Sequence, residues 1–147
     1  MSIALLDVDF LVSLAWPNHL CHKAATAWFL AHGDEGFATC PITEAGFVRI
    51  SLNPKIVGEA KSTPTVLAVL ARFKELPGHV FWPADLDIEA ALMPLPLLAG
   101  HRQVTDFYLL SLAIAKGGSL ATFDRGIKAA MPRELAGHVL VIEVQGG

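Results

Sequence analysis

Cysteine is scarce. The two present, Cys21 and Cys40, form neither a C-x-x-C pair nor an even-spaced framework, which argues against a secreted disulfide scaffold and fits a reducing cytoplasm. Charge is also sparse, at 17% of 147 residues, and 11 Lys+Arg fall short of 14 Asp+Glu, leaving a formal charge of −3. That sign excludes a general electrostatic coat for a nucleic-acid duplex, so any nucleic-acid partner must be gripped locally. No stretch reaches the roughly 18 uninterrupted apolar residues of a membrane span. The apolar opening MSIALLDVDFLVSLAW has no basic region before it and two carboxylates within it, so it reads as a strand entering a helix rather than a signal or anchor. Internal repeats, low-complexity tracts, a Gly-rich phosphate loop, a nucleophile elbow and a Cys/His dyad are all missing.

What the chain does have is material for a core. It is 53% apolar, with a mean hydropathy of +0.49, which excludes disorder. A chain of this length buries about 68–70% of its unfolded surface, so residues 1–147 are expected to form one domain without a disulfide or metal staple. Short apolar runs at Ile3–Leu6, Phe37–Cys40, His79–Trp82, Ser119–Thr122 and Val139–Val144 read as strands. Between them, helices are expected over Phe10–Ala15, Asn18–His32 and from Pro41 to just before Asn53-Pro54, then over Ser62–Leu76, Asp106–Lys116 and Asp124–Met131. In the second of these helices Leu20, Ala24, Ala27, Trp28 and Ala31 would share the apolar face. Gly33 to Gly36 reads as a turn, Asp85–Leu92 as a short helix or turn, and the segment MPLPLLAGHRQ as an irregular apolar loop suited to a lid or partner surface. Alternating strands and helices predict an α/β fold, a three-layer α/β/α sandwich on a mostly parallel sheet of four to five strands.

On that layout four acids fall at comparable points. Asp7 ends the first strand, Glu44 lies in the first turn after the second, Asp106 opens the long helix and Asp124 follows the fourth strand. Strand ends of an open parallel sheet meet along one crevice, where ligands bind. Two carboxylates about 4 Å apart repel by roughly 4 kcal/mol at an effective dielectric near 20, so four of them need a counter-charge. Hard oxygen ligands point to Mg²⁺ or Mn²⁺, and such a site suits phosphodiester hydrolysis. A plainer reading competes at Glu44, Asp106 and Asp124, because first-turn acids complement a helix dipole by about 0.3–1 kcal/mol. Asp7 resists that reading, since a carboxylate after a buried strand is costly unless paired or metal-bound. Asp9, two residues on, reads as a cap or an auxiliary acid.

The segments LLDVDFLVSLAWPNH, ATCPITEAGFVRISLNP, GHRQVTDFYLLSLAIAKGG and LATFDRGI, in that order, resemble the PIN-domain ribonucleases, and among them the VapC toxins of bacterial toxin-antitoxin pairs. The resemblance covers most of the chain except residues 55 to 100 and the last strand. It implies a PIN-like fold, with Asp7, Glu44, Asp106 and Asp124 as the metal-binding catalytic acids and Thr122 of T-F-D as a supporting hydroxyl. Asp9 stands where the family commonly has Asn. The family's activity would make this chain a Mg²⁺-dependent endoribonuclease (Mn²⁺ serving as an alternative), restrained by a VapB-type antitoxin whose tail covers the site, and a homodimer. Apolar surface near Leu52 to Leu76 offers a place for antitoxin or self-contact.

Other features compete for a role. Arg102 and Arg125 adjoin two of the acids, with Lys116 and Lys128 further along the same segments, and could hold flanking RNA phosphates; solvated surface charge explains them equally. His19 and His22 form an H-x-x-H, but two ligands without a second pair are thin support for zinc. Trp16, Trp28 and Trp82 could stack bases, although aromatics at such spacing are more often core. Two rival functions stay open. One is a phosphatase of the haloacid dehalogenase type with Asp7 as nucleophile, weakened by the single acid in T-F-D-R-G; the other is a non-catalytic PIN-like interaction module, weakened by the intact acids.

Overall fold

A computed structural model describes residues 2–95 and 103–144 of the chain. Five strands, β1 (Ala4–Leu6), β2 (Phe37–Thr39), β3 (His79–Phe81), β4 (Ser119–Thr122) and β5 (Val139–Val141), form one sheet in the order β3-β2-β1-β4-β5. Every pairing is parallel, so the sheet is wholly rather than mostly parallel. The helices are α1 (Val8–Ala15), α2 (His22–His32), α3 (Pro41–Ser51), α4 (Pro54–Val57), α5 (Thr63–Glu75), α6 (Ile88–Leu92), α7 (Val104–Ala115), α8 (Arg125–Ala129) and α9 (Arg133–Ala136).

The two faces of the sheet follow from the alternation of strand side chains. Leu5, Ala38 and Leu120 point to one side and pack with Trp82, Ala91, Phe107, Leu110 and Ile127 under α6, α7 and α8. Their neighbours Ala4, Leu6, Phe37 and Ala121 point to the other, against Phe10, Leu11, Phe47, Val66 and Leu70 of α1, α3 and α5. Because helices cover both faces, every position of β1, β2 and β4 is buried, with no alternation of buried and exposed residues. This is the expected three-layer α/β/α architecture. Among the described residues, no helix is long and apolar enough to cross a membrane.

Local signals set most boundaries. Asp7 accepts from the Phe10 amide and starts α1 at Val8, two residues before the expected Phe10. Pro41 opens α3, Ser62 caps α5 through the Thr65 amide, and Gly117, at φ +74°, follows α7. The second helix departs from expectation: it begins at His22, not near Asn18. Residues 17–21 are held in turns, where the Cys21 amide donates to His19 Nδ1 and the His22 amide to the His19 carbonyl. Its expected apolar face is also wrong in part, since Leu20 is 90% exposed and Ala27 and Ala31 are exposed, while Ala25 is the buried residue. The last strand stops at Val141, because its one neighbour, β4, ends at Thr122, the residue paired with Val141. Two one-turn helices, α4 and α9, were not expected; they are too short to show a period. Residues 96–102 of the apolar loop lie outside the described residues, and so does Arg102.

β1 and β4 approach closely enough to exclude a side chain at their entry. A Cβ on Gly118 would stand 2.3 Å from the Ile3 carbonyl oxygen and 2.8 Å from the Trp82 ring. Backbone cannot yield there without opening the central strand pair. Gly118→Ala is therefore expected to cost about 1–3 kcal/mol, as overpacking does; urea unfolding monitored by circular dichroism would show a lower midpoint with unchanged slope.

Candidate active site

The strand order reverses between β1 and β4, and this is where a crevice opens at the carboxyl ends of an open α/β sheet. A cleft of about 370 Å³ lies there, lined by Asp7, Val8, Asp9, Arg49, Ile50, Thr105, Asp106, Thr122, Phe123 and Asp124. Asp7 follows β1, Asp124 follows β4, and Asp106 sits in the first turn of α7. Three of the four expected acids thus face one space, together with Asp9 and Thr122. A second cleft of about 320 Å³ lies where the strands enter the sheet, with Ser2, Trp28, His32, Glu35, Ser119 and Leu140 in its wall. Glu35 is the one carboxylate there, so the chemistry favours the first cleft despite their similar size.

Asp7 is 6% exposed and held on two sides. Its Oδ1 accepts from the Phe10 amide at 2.8 Å, and the Thr122 hydroxyl bonds to its carboxylate. Thr122 Oγ1 also accepts from the Asp124 amide at 3.0 Å, while Asp124 Oδ1 takes the Gly126 amide at 2.8 Å. One hydroxyl therefore ties the acid after β1 to the turn after β4. Burial pushes Asp7 up to about 7 despite both hydrogen bonds, with Asp106 and Asp9 adding repulsion. Asp106 is pushed up to about 6 by burial and then by Asp124 and Asp9. A helix dipole worth about 0.3–1 kcal/mol would hold a first-turn acid down, so desolvation and crowding outweigh it at Asp106. Dipole compensation alone does not account for this acid.

Such a cleft fits a hard divalent cation by its donors and its unfavourable charge. Among the described residues, no three His, Cys, Asp or Glu side chains are already gathered into a cage. Mg²⁺ asks for less than a cage, since it keeps several waters and is commonly held by one or two carboxylates plus substrate phosphate. Asp7, Asp106 and Asp124 are the residues that could hold it, with Asp9 beside them in the lining.

The remaining sequence candidates lie elsewhere. Glu44 does not line the cleft: its Oε2 accepts from the Thr39 hydroxyl at 2.7 Å and its Oε1 pairs with Lys74 at 3.1 Å, beside His79. Burial and Lys74 push the His79 imidazole below its ordinary range, against the opposing pull of Glu44. Lys116 pairs with Asp85 at 3.2 Å and stands ten residues along α7 from Asp106, about 15 Å at helical rise. Arg125 pairs with Glu143, and Lys128 is exposed on α8; neither lines the cleft. His19 binds Asp9 through Nε2 at 3.2 Å and Ser13 through Nδ1, and His22 bonds the Ser13 carbonyl, so both histidines fasten the loop after α1. Trp82 is buried, Trp16 stacks on Phe47, and Trp28 meets Phe10 edge-on, so all three pack within the protein.

Arg49 and Thr105 are cleft residues that motif spacing did not reveal. The signal for Arg49 was its place in α3, one turn beyond Gly46. A Cβ on Gly46 would stand 2.5 Å from Val8 Cγ2, so this glycine lets α3 close on the start of α1 and brings the next turn to the cleft.

Comparison with known proteins gives a consistent result. The chain is 45% identical over 126 residues to ribonuclease VapC39 of Mycobacterium tuberculosis, covering 84% of this chain and 90% of that protein. It is 45% identical over 125 residues to ribonuclease VapC38 of the same organism, covering 85% and 87%, and 35% identical over 141 residues to its ribonuclease VapC44, covering 95% and 99%. In fold it resembles a crystal structure of VapBC2 from Rickettsia felis bound to a DNA fragment from their promoter, with a TM-score of 0.63 and 17% identity over 96% of this chain and 97% of that one. No family model matches.

The raised acids carry a stability signature. Asp7 rises from 3.8 to about 7 on folding, so between those values the folded protein holds a proton that the unfolded chain releases. Stability therefore declines as pH rises through that window, and Asp106 acts in the same direction up to about 6. Asp7→Asn keeps a capping acceptor and removes the charge. In chelator, the variant is expected to melt above wild type at about pH 8, with the gap closing toward about pH 4. A gap independent of pH in thermal melts would contradict the assignment.

Proposed function

This chain belongs to the VapC ribonuclease family, and from that premise we propose that it is a metal-dependent endoribonuclease, hydrolysing RNA phosphodiester bonds at the acid cleft as the toxin of a VapBC-type pair. The observation that carries the metal dependence is the cleft itself: Asp7, Asp9, Asp106 and Asp124 share one space, and two of them are held well above the ordinary carboxylate range by burial and mutual repulsion. A divalent cation bound there, Mg²⁺ or Mn²⁺, would supply the neutralising charge, polarise a phosphodiester and ease deprotonation of water.

The side chains have separable tasks. Asp7, fixed by the Phe10 amide and by Thr122, is the most rigidly held of the acids and would orient an attacking water beside the cation. Asp7 after β1 and Asp124 after β4 present carboxylates from the two halves of the sheet, and Asp106 adds a third from the start of α7. Thr122 positions Asp7 and does not itself face bond cleavage. Asp9 is oriented by His19 at the rim. Glu44 links Thr39 of β2 to Lys74 of α5, off the lining of the cleft. A VapB-type antitoxin and a second copy of the chain are the partners this reading implies. The apolar side chains left exposed along α5 and the edge strand β3, Leu67, Leu76 and Phe81, are surface available to them.

Purified protein incubated with total RNA should yield discrete fragments with Mg²⁺ or Mn²⁺ and none in chelator. Asp7→Ala and Asp106→Asn should each lose more than the roughly 10–100-fold that removal of an outer-sphere partner costs. Glu44→Gln, given its place beside Lys74, should lose less than either, roughly tenfold or below. Cleavage that persists in chelator would overturn the metal-dependent reading, and a trapped phosphoaspartate at Asp7 would favour a phosphatase instead.

A further inference from the structure

We propose that Arg49 is a phosphate clamp of the cleft, gripping the non-bridging oxygens of a phosphodiester in the bound RNA strand; the inference rests on the ribonuclease reading above. An acidic chain with an acidic cleft repels a polyanion, so it needs cations set close to the chemistry. Among the described residues, the cations singled out beside the sequence motifs do not meet that need. Lys116 and Arg125 are occupied by Asp85 and Glu143, and Lys128 lies off the cleft. Lys61 and Lys74 are likewise paired, with Glu59 and Glu44.

Arg49 differs from all of these. It lines the same cleft as Asp7, Asp9, Asp106 and Asp124, it is exposed, and among the described residues it makes no ion pair or side-chain hydrogen bond. It is also the sole basic residue in the described lining. Its position is built into the backbone, because bare Gly46 lets α3 close on Val8 and Arg49 follows one turn later on that side. A guanidinium that shares a space with four carboxylates yet has not collapsed onto one remains available to another anion. Its planar fork matches the paired oxygens of a phosphate. With a cation held by the carboxylates, Arg49 would supply a second, separate grip on a phosphate in the same cleft.

The competing account is that Arg49 only offsets the charge of the acids. Steady-state cleavage of a labelled single-stranded RNA oligonucleotide, bearing a cut site mapped in total RNA, separates the two when measured at several KCl concentrations. Arg49→Ala is expected to raise KM about tenfold or more, with a smaller change in kcat, as removing a charged hydrogen-bonding group does. The dependence of log KM on log salt should fall by about 0.7, the signature of one fewer neutralised phosphate on a single strand. Arg49→Lys should keep that salt dependence and recover part of KM, since an ammonium supplies the charge without the fork. Arg49→Gln, which retains most of the stem, serves the same comparison should the alanine variant melt early. If wild type cleaves and the variants leave KM and its salt dependence unchanged, Arg49 is not a clamp, while the nuclease reading stands. Failure of wild type to cleave any RNA with divalent metal would remove both.

Discussion

The position of β1 between β2 and β4 is the constraint on which the rest of this molecule depends. Leu5 pairs with Ala38 on one side and Leu120 on the other, and it is wholly buried between two helical layers. Next to so buried a strand end, Asp7 has little water. The same pairing sets the Asp124 turn beside it, because β4 runs parallel to β1 and ends at the same level. Thr122 then joins them through one hydroxyl that donates to Asp7 and accepts from the Asp124 amide. Displacing β1 from β4 would therefore separate acids and release the bond that orients them, in addition to exposing apolar surface.

Electrostatic discomfort at this junction is consistent with function rather than with stability. A folding chain gains nothing by crowding Asp7, Asp9, Asp106 and Asp124 into one cleft, and burial raises two of them. Perturbed carboxylates in a cleft mark functional sites more often than structural ones, and the sign here is the one a cation would relieve. In contrast, Glu44 is relaxed, with both oxygens satisfied by Thr39 and Lys74. Carboxylates at comparable chain positions thus sit in two different environments, decided for Glu44 by neighbours on β2 and α5.

Much of the architecture is legible along the chain. Apolar runs bounded by Gly, Pro and Asp locate all five strands, and Pro41 as a first helical residue and Ser62 as a cap are visible as residues. The departures have local causes. At His19 a ring nitrogen captures the Cys21 amide, so a helix expected from Asn18 gives way to turns. At β5 a run of β-branched residues looks longer than the one neighbour that can pair with it. One-turn helices such as α4 carry no periodicity to read.

The order of acids along the chain, and the family they resemble, followed from sequence alone, because short motifs at strand ends are local and carry their own chemistry. Asp7, Asp106 and Asp124 needed only correct strand and helix boundaries to be placed on one sheet edge. Which basic residue lines the cleft with them, among the described residues, was settled only in three dimensions. Arg49 reaches the cleft because Gly46 allows two helices to touch, whereas Arg125 sits beside Asp124 in sequence and yet pairs with Glu143. Adjacency along a chain fixes a distance between backbone atoms; the direction and partner of a long charged side chain depend on packing between elements distant in sequence.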